Sequence, residues 1–234
     1  MRKPTPCVAT VEAVRVLAPD VVEVDLRMVE PAEFSFDAGQ WVSVPFGEKT
    51  VRAYTIASTP RSPRLITLCA DVAPGGIGSK WFRALEPGQS VRFKGPTGGF
   101  VFHRSDPRRV LFVAEEIGVV PIRSILTALY EGGFGRPAAL IHWARDPGRL
   151  VYDGEFRSLG RRYPAFTYVR AVRSAPAGWR GDLGESAAIV DRLVHDVNGL
   201  VAYVSGGGET IDRVRAVLMA KGLDRKSVRW EKFW

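Results

Sequence analysis

The chain has 234 residues, of which 46% are hydrophobic and 25% charged, and it carries a net charge of +8. That composition is ordinary for a folded, water-exposed protein, and the length suits one large domain or two modest ones. No run of about 18 or more apolar residues occurs, so no membrane-crossing helix is expected.

The charges of Met1-Arg2-Lys3-Pro4-Thr5-Pro6 are not followed by an apolar stretch, so no secretory leader is expected and the location reads as cytoplasmic. Cys7 and Cys69 are far apart and in no metal-ligand spacing, which argues against a cysteine-ligated iron–sulfur cluster and fits a reducing compartment. His103, His142 and His195 are equally scattered, and no metal site is expected. The positive charge is spread along the chain, with small clusters at Arg108-Arg109, Arg161-Arg162 and Arg225-Lys226. No groove-reading motif or basic helix accompanies it, so nucleic acid is disfavoured. A basic surface suits an acidic protein partner or an anionic cofactor, which it steers inward.

From Thr5 to about Phe102 the sequence reads as short strands separated by turns. Strands are expected over Pro4–Leu17 and Val21–Arg27, the second with Val22, Val24 and Leu26 inward and Glu23, Asp25 and Arg27 outward. Four more follow at Gln40–Val44, Arg52–Ala57, Arg64–Ala70 and Ser90–Gly95. Six short strands with little helix predict a small closed antiparallel barrel.

Within it, Arg52-Ala53-Tyr54-Thr55-Ile56-Ala57-Ser58 places a cation and an edge-exposed phenol on one face and a hydroxyl on the other. Such a strand is either an ordinary solvated edge or a binder of a flat, anionic, hydrogen-bonding ligand. The loop Pro74-Gly75-Gly76-Ile77-Gly78-Ser79 leads into a short helix over Lys80–Leu85, closed by Pro87-Gly88. It is either a flexible turn or a cradle of backbone N–H groups for a diphosphate.

After Asp106-Pro107 the pattern changes to apolar strands alternating with helices. Strands are expected over Arg109–Ala114, Ala138–Trp143, Phe166–Val172, Leu200–Val204 and Val228–Trp230. Helices are expected over Pro121–Glu131, Tyr152–Leu159, Glu185–Val194 and Glu209–Lys221. Strands buried on both faces and connected by helices predict a parallel α/β sheet, with the boundary near residue 105, giving domains 1–105 and 106–234. Ligands of such sheets bind beyond the carboxyl ends of the strands. Ala114-Glu115-Glu116-Ile117-Gly118-Val119-Val120-Pro121 and Ser205-Gly206-Gly207-Gly208-Glu209-Thr210 fall there.

In this order the pieces resemble the ferredoxin–NADP reductase superfamily over essentially the whole chain. Arg52-Ala53-Tyr54-Thr55 is similar to the R-x-Y-[S/T] flavin motif, and Gly76-Ile77-Gly78-Ser79 to the G-x-x-S diphosphate motif. Gly118 and Pro121-Ile122-Arg123-Ser124 resemble the nucleotide turn, and Trp230-Glu231-Lys232-Phe233-Trp234 the acidic-then-aromatic ending. The resemblance implies an FAD-binding barrel followed by an NAD(P)-binding α/β domain, with FAD and NADPH or NADH as cofactors. It implies hydride transfer from NAD(P)H to FAD and single-electron transfer to a separate acidic carrier such as ferredoxin or flavodoxin. Two other roles stay open: the reductase subunit of a larger redox complex, and a flavin module that has lost nicotinamide binding.

By the same resemblance Arg52 holds the diphosphate with Gly76, Ile77, Gly78 and Ser79. Tyr54 packs on the isoalloxazine beside Ala53, and Thr55 sits near the nitrogen that takes the hydride. Trp234 covers the other flavin face, while Ser205, Gly206 and Glu231 lie toward the nicotinamide, with Ser205 where many members carry cysteine. Arg145 and Arg149 follow the strand ending in Trp143, where an arginine pair favours a 2′-phosphate and hence NADPH. The main departure is Glu115-Glu116-Ile117 in place of the usual glycines and threonine. Two carboxylates there repel phosphates unless they are turned away or paired.

Overall fold

The computed structural model describes residues 3–233. The chain divides into two compact units, one running through His103 and including Val120–Gly133, the other holding Arg104–Val119 and the chain from Phe134 on.

The first unit contains the six expected strands: β1 (Thr5–Ala18), β2 (Val21–Glu30), β3 (Trp41–Phe46), β4 (Thr50–Thr55), β5 (Leu65–Asp71) and β6 (Ser90–Thr97). They form one antiparallel sheet in the order β4-β3-β6-β1-β2-β5. A single bridge between Ile56 and Leu68, just past β4 and within β5, brings the two edges together. Alternation explains the core, because Val24, Leu26, Val42, Val44, Ile66 and Leu68 project to one side of their strands and are buried together. One assignment within β2 is corrected: Glu23 was expected outward and is buried. Arg15 of the paired strand reaches across to it at 2.8 Å and to Asp25 at 2.8 Å. The guanidinium matches both carboxylates, which makes their burial affordable.

Helix α1 (Ile77–Arg83) interrupts the strands between β5 and β6. It starts earlier than expected and takes Gly78 and Ser79 into its first turn. Helix α2 (Val119–Glu131) belongs almost entirely to this unit, although it follows a strand of the other. Its side chains cap the carbonyls left open beyond β4: Arg123 donates to Ala57 O at 2.9 Å and the Ser124 hydroxyl to Ser58 O at 2.6 Å.

The second unit is a six-stranded sheet of β7 (Arg109–Glu115), β8 (Ala138–Ala144), β9 (Phe166–Val172), β10 (Asp182–Leu183), β11 (Leu200–Gly206) and β12 (Val228–Lys232). The order is β10-β9-β8-β7-β11-β12, and every pairing is parallel. The two-residue edge strand β10 carried no sequence signal. Helices α3 (Asp153–Arg162), α4 (Ser186–Leu193) and α5 (Gly208–Ala220) alternate with the strands. Burial on both faces accounts for the continuous apolar runs, with all seven residues of β11 buried. β7 sits between β8 and β11, so the carboxyl ends of these three strands lie side by side and their following loops become neighbours.

Candidate functional site

In the first unit β4 pairs with β3 so that Arg52 opposes Val44, Tyr54 opposes Val42 and Thr55 opposes Trp41. Arg52 and Ala53 are exposed, Tyr54 is half-buried and Thr55 is buried. Tyr54 is therefore not the edge-exposed phenol expected. Its ring stacks on Trp81 at 5.8 Å between centroids and meets the edge of Phe82 at 4.8 Å. Burial pushes its phenol up to about 12, against the pull of the Arg52 charge, so the hydroxyl stays neutral. Trp81 and Phe82, which set the pose of this ring, were read only as part of a short helix. Their adjacency within the short helix was the available signal.

The glycine loop and the strand meet here. A β-carbon on Gly78 would lie 2.2 Å from the Tyr54 hydroxyl and 3.7 Å from Arg52 Cγ. Glycine here leaves the space that the Tyr54 hydroxyl takes, with Arg52 at ordinary contact distance. The N-cap residue of α1, Gly76, makes no side-chain cap, and no acid occupies the first turn. Gly75, Gly76 and Ile77 are exposed, and Ser79 is buried. The opening N–H groups of a helix carry partial positive charge, and Arg52 is beside them. Uncapped donors, a first turn without an acid and the Arg52 side chain alongside, its guanidinium on Val51 O at 3.0 Å, fit a diphosphate. Arg52, Tyr54 and Gly78, with the loop residues Gly76, Ile77 and Ser79 on either side, are thus brought together, whereas Ala53 and Thr55 face the opposite side of their strand.

In the second unit the chain leaves β7 through a single helical turn at Glu116–Gly118. Glu116 has φ +46°, a conformation in which side chains are disfavoured and glycine is at ease. It is held there from three sides. Its Oε1 accepts from the Arg145 backbone N–H at 3.1 Å and from Arg145 Nε at 2.9 Å. Its Oε2 accepts from Arg149 Nη1 at 3.2 Å. Its carbonyl faces His142 Nε2 at 3.1 Å. Burial pushes that imidazole down to about 4, so it is neutral, and since a carbonyl only accepts, Nε2 carries the hydrogen. His142 was read as scattered; its place next to Glu116 follows from β7 and β8 being neighbours.

Glu115 is also engaged, with Oε2 accepting from the Gly207 N–H at 2.7 Å. The expected repulsion of phosphates therefore does not arise from free carboxylates, because both are turned onto partners within their own unit. Arg145 and Arg149, expected to be open cations, are both drawn to Glu116. Gly118 lies against the end of β11, where its β-carbon would be 2.5 Å from Ser205 O. Pro121 is buried in the first turn of α2, in the other unit, where its fixed φ starts a helix.

Ser205 and Glu231 are paired across β11 and β12, with Gly206 next to them. Among the described residues, the Ser205 hydroxyl and Glu231 Oε2 are buried atoms with no hydrogen-bond partner. Burial alone pushes the Glu231 carboxyl up to about 7. Orphaned polar atoms inside a fold are uncommon and mark a place where a ligand group can complete them. Trp234 lies outside the described residues. A polar cavity of about 200 Å³ opens where α4 and α5 begin, bordered by Arg173, Glu185, Ser186, Glu209, Thr210 and Arg213. Arg173 Nε is 2.8 Å from Glu185 and Arg213 Nη2 is 2.5 Å from Glu209.

Comparison with known proteins gives consistent matches. The oxidoreductase FAD-binding domain family matches residues 8–102. Ferredoxin–NADP reductase B of Sorangium cellulosum is 31% identical over 238 residues, covering 97% of this chain and 98% of that protein. The phenol hydroxylase P5 protein of Acinetobacter pittii is 29% identical over 96% of this chain, which spans 65% of that relative. Among solved structures, an Amycolatopsis cytochrome P450 reductase superposes with TM-score 0.86 at 24% identity, covering 100% of this chain and 71% of its own. A Neisseria gonorrhoeae ferredoxin NADP⁺ reductase with bound FAD and NADP superposes with TM-score 0.80 at 18% identity, covering 100% of both chains. The fold likeness and the motif order agree.

Proposed function

The chain belongs to the ferredoxin reductase-type superfamily of FAD-binding oxidoreductases, and on that premise we propose how its residues serve an NAD(P)H-dependent electron transfer to an acidic carrier. The observation that carries the residue assignment is the convergence of Gly78, Tyr54 and Arg52 at the uncapped start of α1. Arg52 and the N–H groups of Gly76 to Ser79 would hold the diphosphate of FAD, and Tyr54, braced by Trp81 and Phe82, would pack against its ring system. When bound, FAD supplies the conversion of a two-electron donor into single electrons. Thr55 is assigned to the hydrogen-bonding of the flavin ring through its hydroxyl or backbone.

On the sheet, the turn through Gly118 and the end of β11 at Gly206, packed closely on one another, are assigned to the pyridine nucleotide. Ser205 and Glu231 complete their unsatisfied atoms against its nicotinamide end and shield it from water. Glu231, with its carboxyl pushed up to about 7, is partly protonated at neutral pH and able to donate as well as accept. A net charge of +8 supports an acidic partner of the ferredoxin or flavodoxin kind, since opposite charge speeds encounter. Two free, buried cysteines support a cytoplasmic location.

The test is an anaerobic titration of the FAD-loaded protein with NADH and with NADPH. Loss of the oxidised flavin band with at least one nucleotide is expected, and a flavin left oxidised by both would overturn the proposal. A second acceptor class is favoured by the matches to oxygenase reductases, including the propane 2-monooxygenase reductase component of Rhodococcus jostii at 28% identity, of which this chain spans 60%. Faster electron transfer to an oxygenase component than to ferredoxin would select it. The flavin module without nicotinamide binding loses its main support, because Glu115 and Glu116 are bound within the fold.

A further inference from the structure

Among the described residues, the arginines around the carboxyl ends of β7, β8 and β9 share one property. Arg145 and Arg149 are both on Glu116, Arg173 is on Glu185 and Arg213 is on Glu209. The last two pairs are exposed and easily traded for an incoming anion. The first is different. The Glu116 side chain is 9% exposed, and Arg149 is 17% exposed, so this carboxylate and one of its cations are largely withdrawn from water. The carboxylate also occupies Nε and the backbone N–H of Arg145 through one oxygen.

Glu116 holds this place in a left-handed conformation, φ +46°, that disfavours a non-glycine residue. Such strain persists only where surrounding bonds over-determine it, and here two arginines and the neutral His142 do so. A glycine would adopt the same backbone at no cost, but it would leave two guanidiniums facing the ligand region with one negative charge fewer between them.

We propose that Glu116 is the specificity-determining residue of the pyridine-nucleotide site: its carboxylate stands in for the second phosphate, so that the site takes the dinucleotide without a 2′-phosphate, NADH over NADPH. This rests on the nucleotide reading given above and reverses what Arg145 and Arg149 suggest in the sequence. An arginine pair recruits a 2′-phosphate when it has no anion of its own; here the anion is supplied by the chain. Discrimination then comes from a repulsive element built into the site, which is how small charge differences between ligands are separated.

The experiment is calorimetric titration of the FAD-loaded full chain with ADP-ribose and with 2′-phospho-ADP-ribose, which differ in one phosphate and carry no nicotinamide to react. The wild type is expected to bind ADP-ribose at least as tightly. Glu116→Gln, which keeps size and one acceptor, is expected to raise the affinity ratio of the 2′-phosphorylated ligand to the plain one at least tenfold. Glu116→Gly, which relieves the backbone strain and so guards against a folding failure, is expected to move it the same way. A wild-type preference for the 2′-phosphorylated ligand, or a ratio unchanged in both variants, would overturn the proposal. Absence of binding by either ligand to the wild type would instead overturn the nucleotide reading beneath it.

Discussion

In the barrel unit Arg52, Tyr54 and the glycine loop at the start of α1 meet through volume. Gly78 leaves room for the Tyr54 hydroxyl, and Trp81 and Phe82 hold the Tyr54 ring. In the sheet unit the turn after β7 is held through charge, with Glu116 between Arg145 and Arg149 and Glu115 on the Gly207 amide. The two devices fail in different ways. A site set by volume is sensitive to one added carbon and indifferent to salt, whereas a site set by ion pairs tolerates changes in size and responds to charge, pH and ionic strength.

The contrast breaks first at Gly118, where the sheet unit also depends on an absent side chain. Its β-carbon would lie 2.5 Å from Ser205 O, 2.8 Å from Ser205 C and 3.0 Å from Gly206 N, all backbone atoms of a buried strand. Gly118→Ala is expected to cost about 3 kcal/mol or more, as overpacking against backbone does. An unfolding free energy within about 1 kcal/mol of wild type, from denaturant titration, would show that the turn moves freely off β11.

Next in size is the pH response of Glu231, which sharpens the comparison on the side of charge. Its carboxyl is raised from 4.5 to about 7, so folding favours the protonated form. The stability this contributes is fully present below about pH 4.5 and is lost as pH rises through 7. Glu231→Gln should therefore be the more stable protein above pH 7, by about 2–3 kcal/mol, with the gap closing in acid. Parallel melting curves for the two proteins across this range would mean that the carboxyl is better solvated than its burial implies.

The smallest effect sharpens the comparison on the side of volume. Gly78→Ala is expected to cost about 1–2 kcal/mol and to weaken FAD retention about tenfold, because the added carbon meets the end of a side chain rather than backbone. Tyr54→Phe removes the atom that would lie 2.2 Å away, so the double variant should recover most of the loss. Equal retention of FAD in Gly78→Ala and wild type, measured by dialysis, would separate the loop from the cofactor.

Much of the architecture was legible because it rests on local periodicity. Alternation in Val22, Val24 and Leu26, apolar runs such as Leu200–Val204, and turns at Pro87-Gly88 placed all six barrel strands and five of the six in the sheet. The family motifs at Arg52–Thr55 and Gly76–Ser79 picked out two stretches that meet at the start of α1, since glycine next to a helix start is a backbone requirement visible in the residue itself. Edge strand β10, only two residues long, has too few positions to show a period. Glu23 was misplaced because its partner Arg15 sits on another strand, and alternation knows nothing of ion pairs.

By itself, then, the sequence determined the barrel and the parallel sheet, the family, and the short motif stretches proposed to face a cofactor, because hydrophobic period and glycine positions act over a few residues. Only the tertiary structure decided where the side chains of those stretches are directed. Glu116 meets Arg145 and Arg149 because β7 and β8 end side by side, Glu115 meets Gly207 because β11 flanks β7, and helix α2 joins the barrel through Arg123 and Ser124. These contacts join residues far apart in the chain, and their sign, attraction where repulsion was expected, depends on which strand ends the fold makes neighbours.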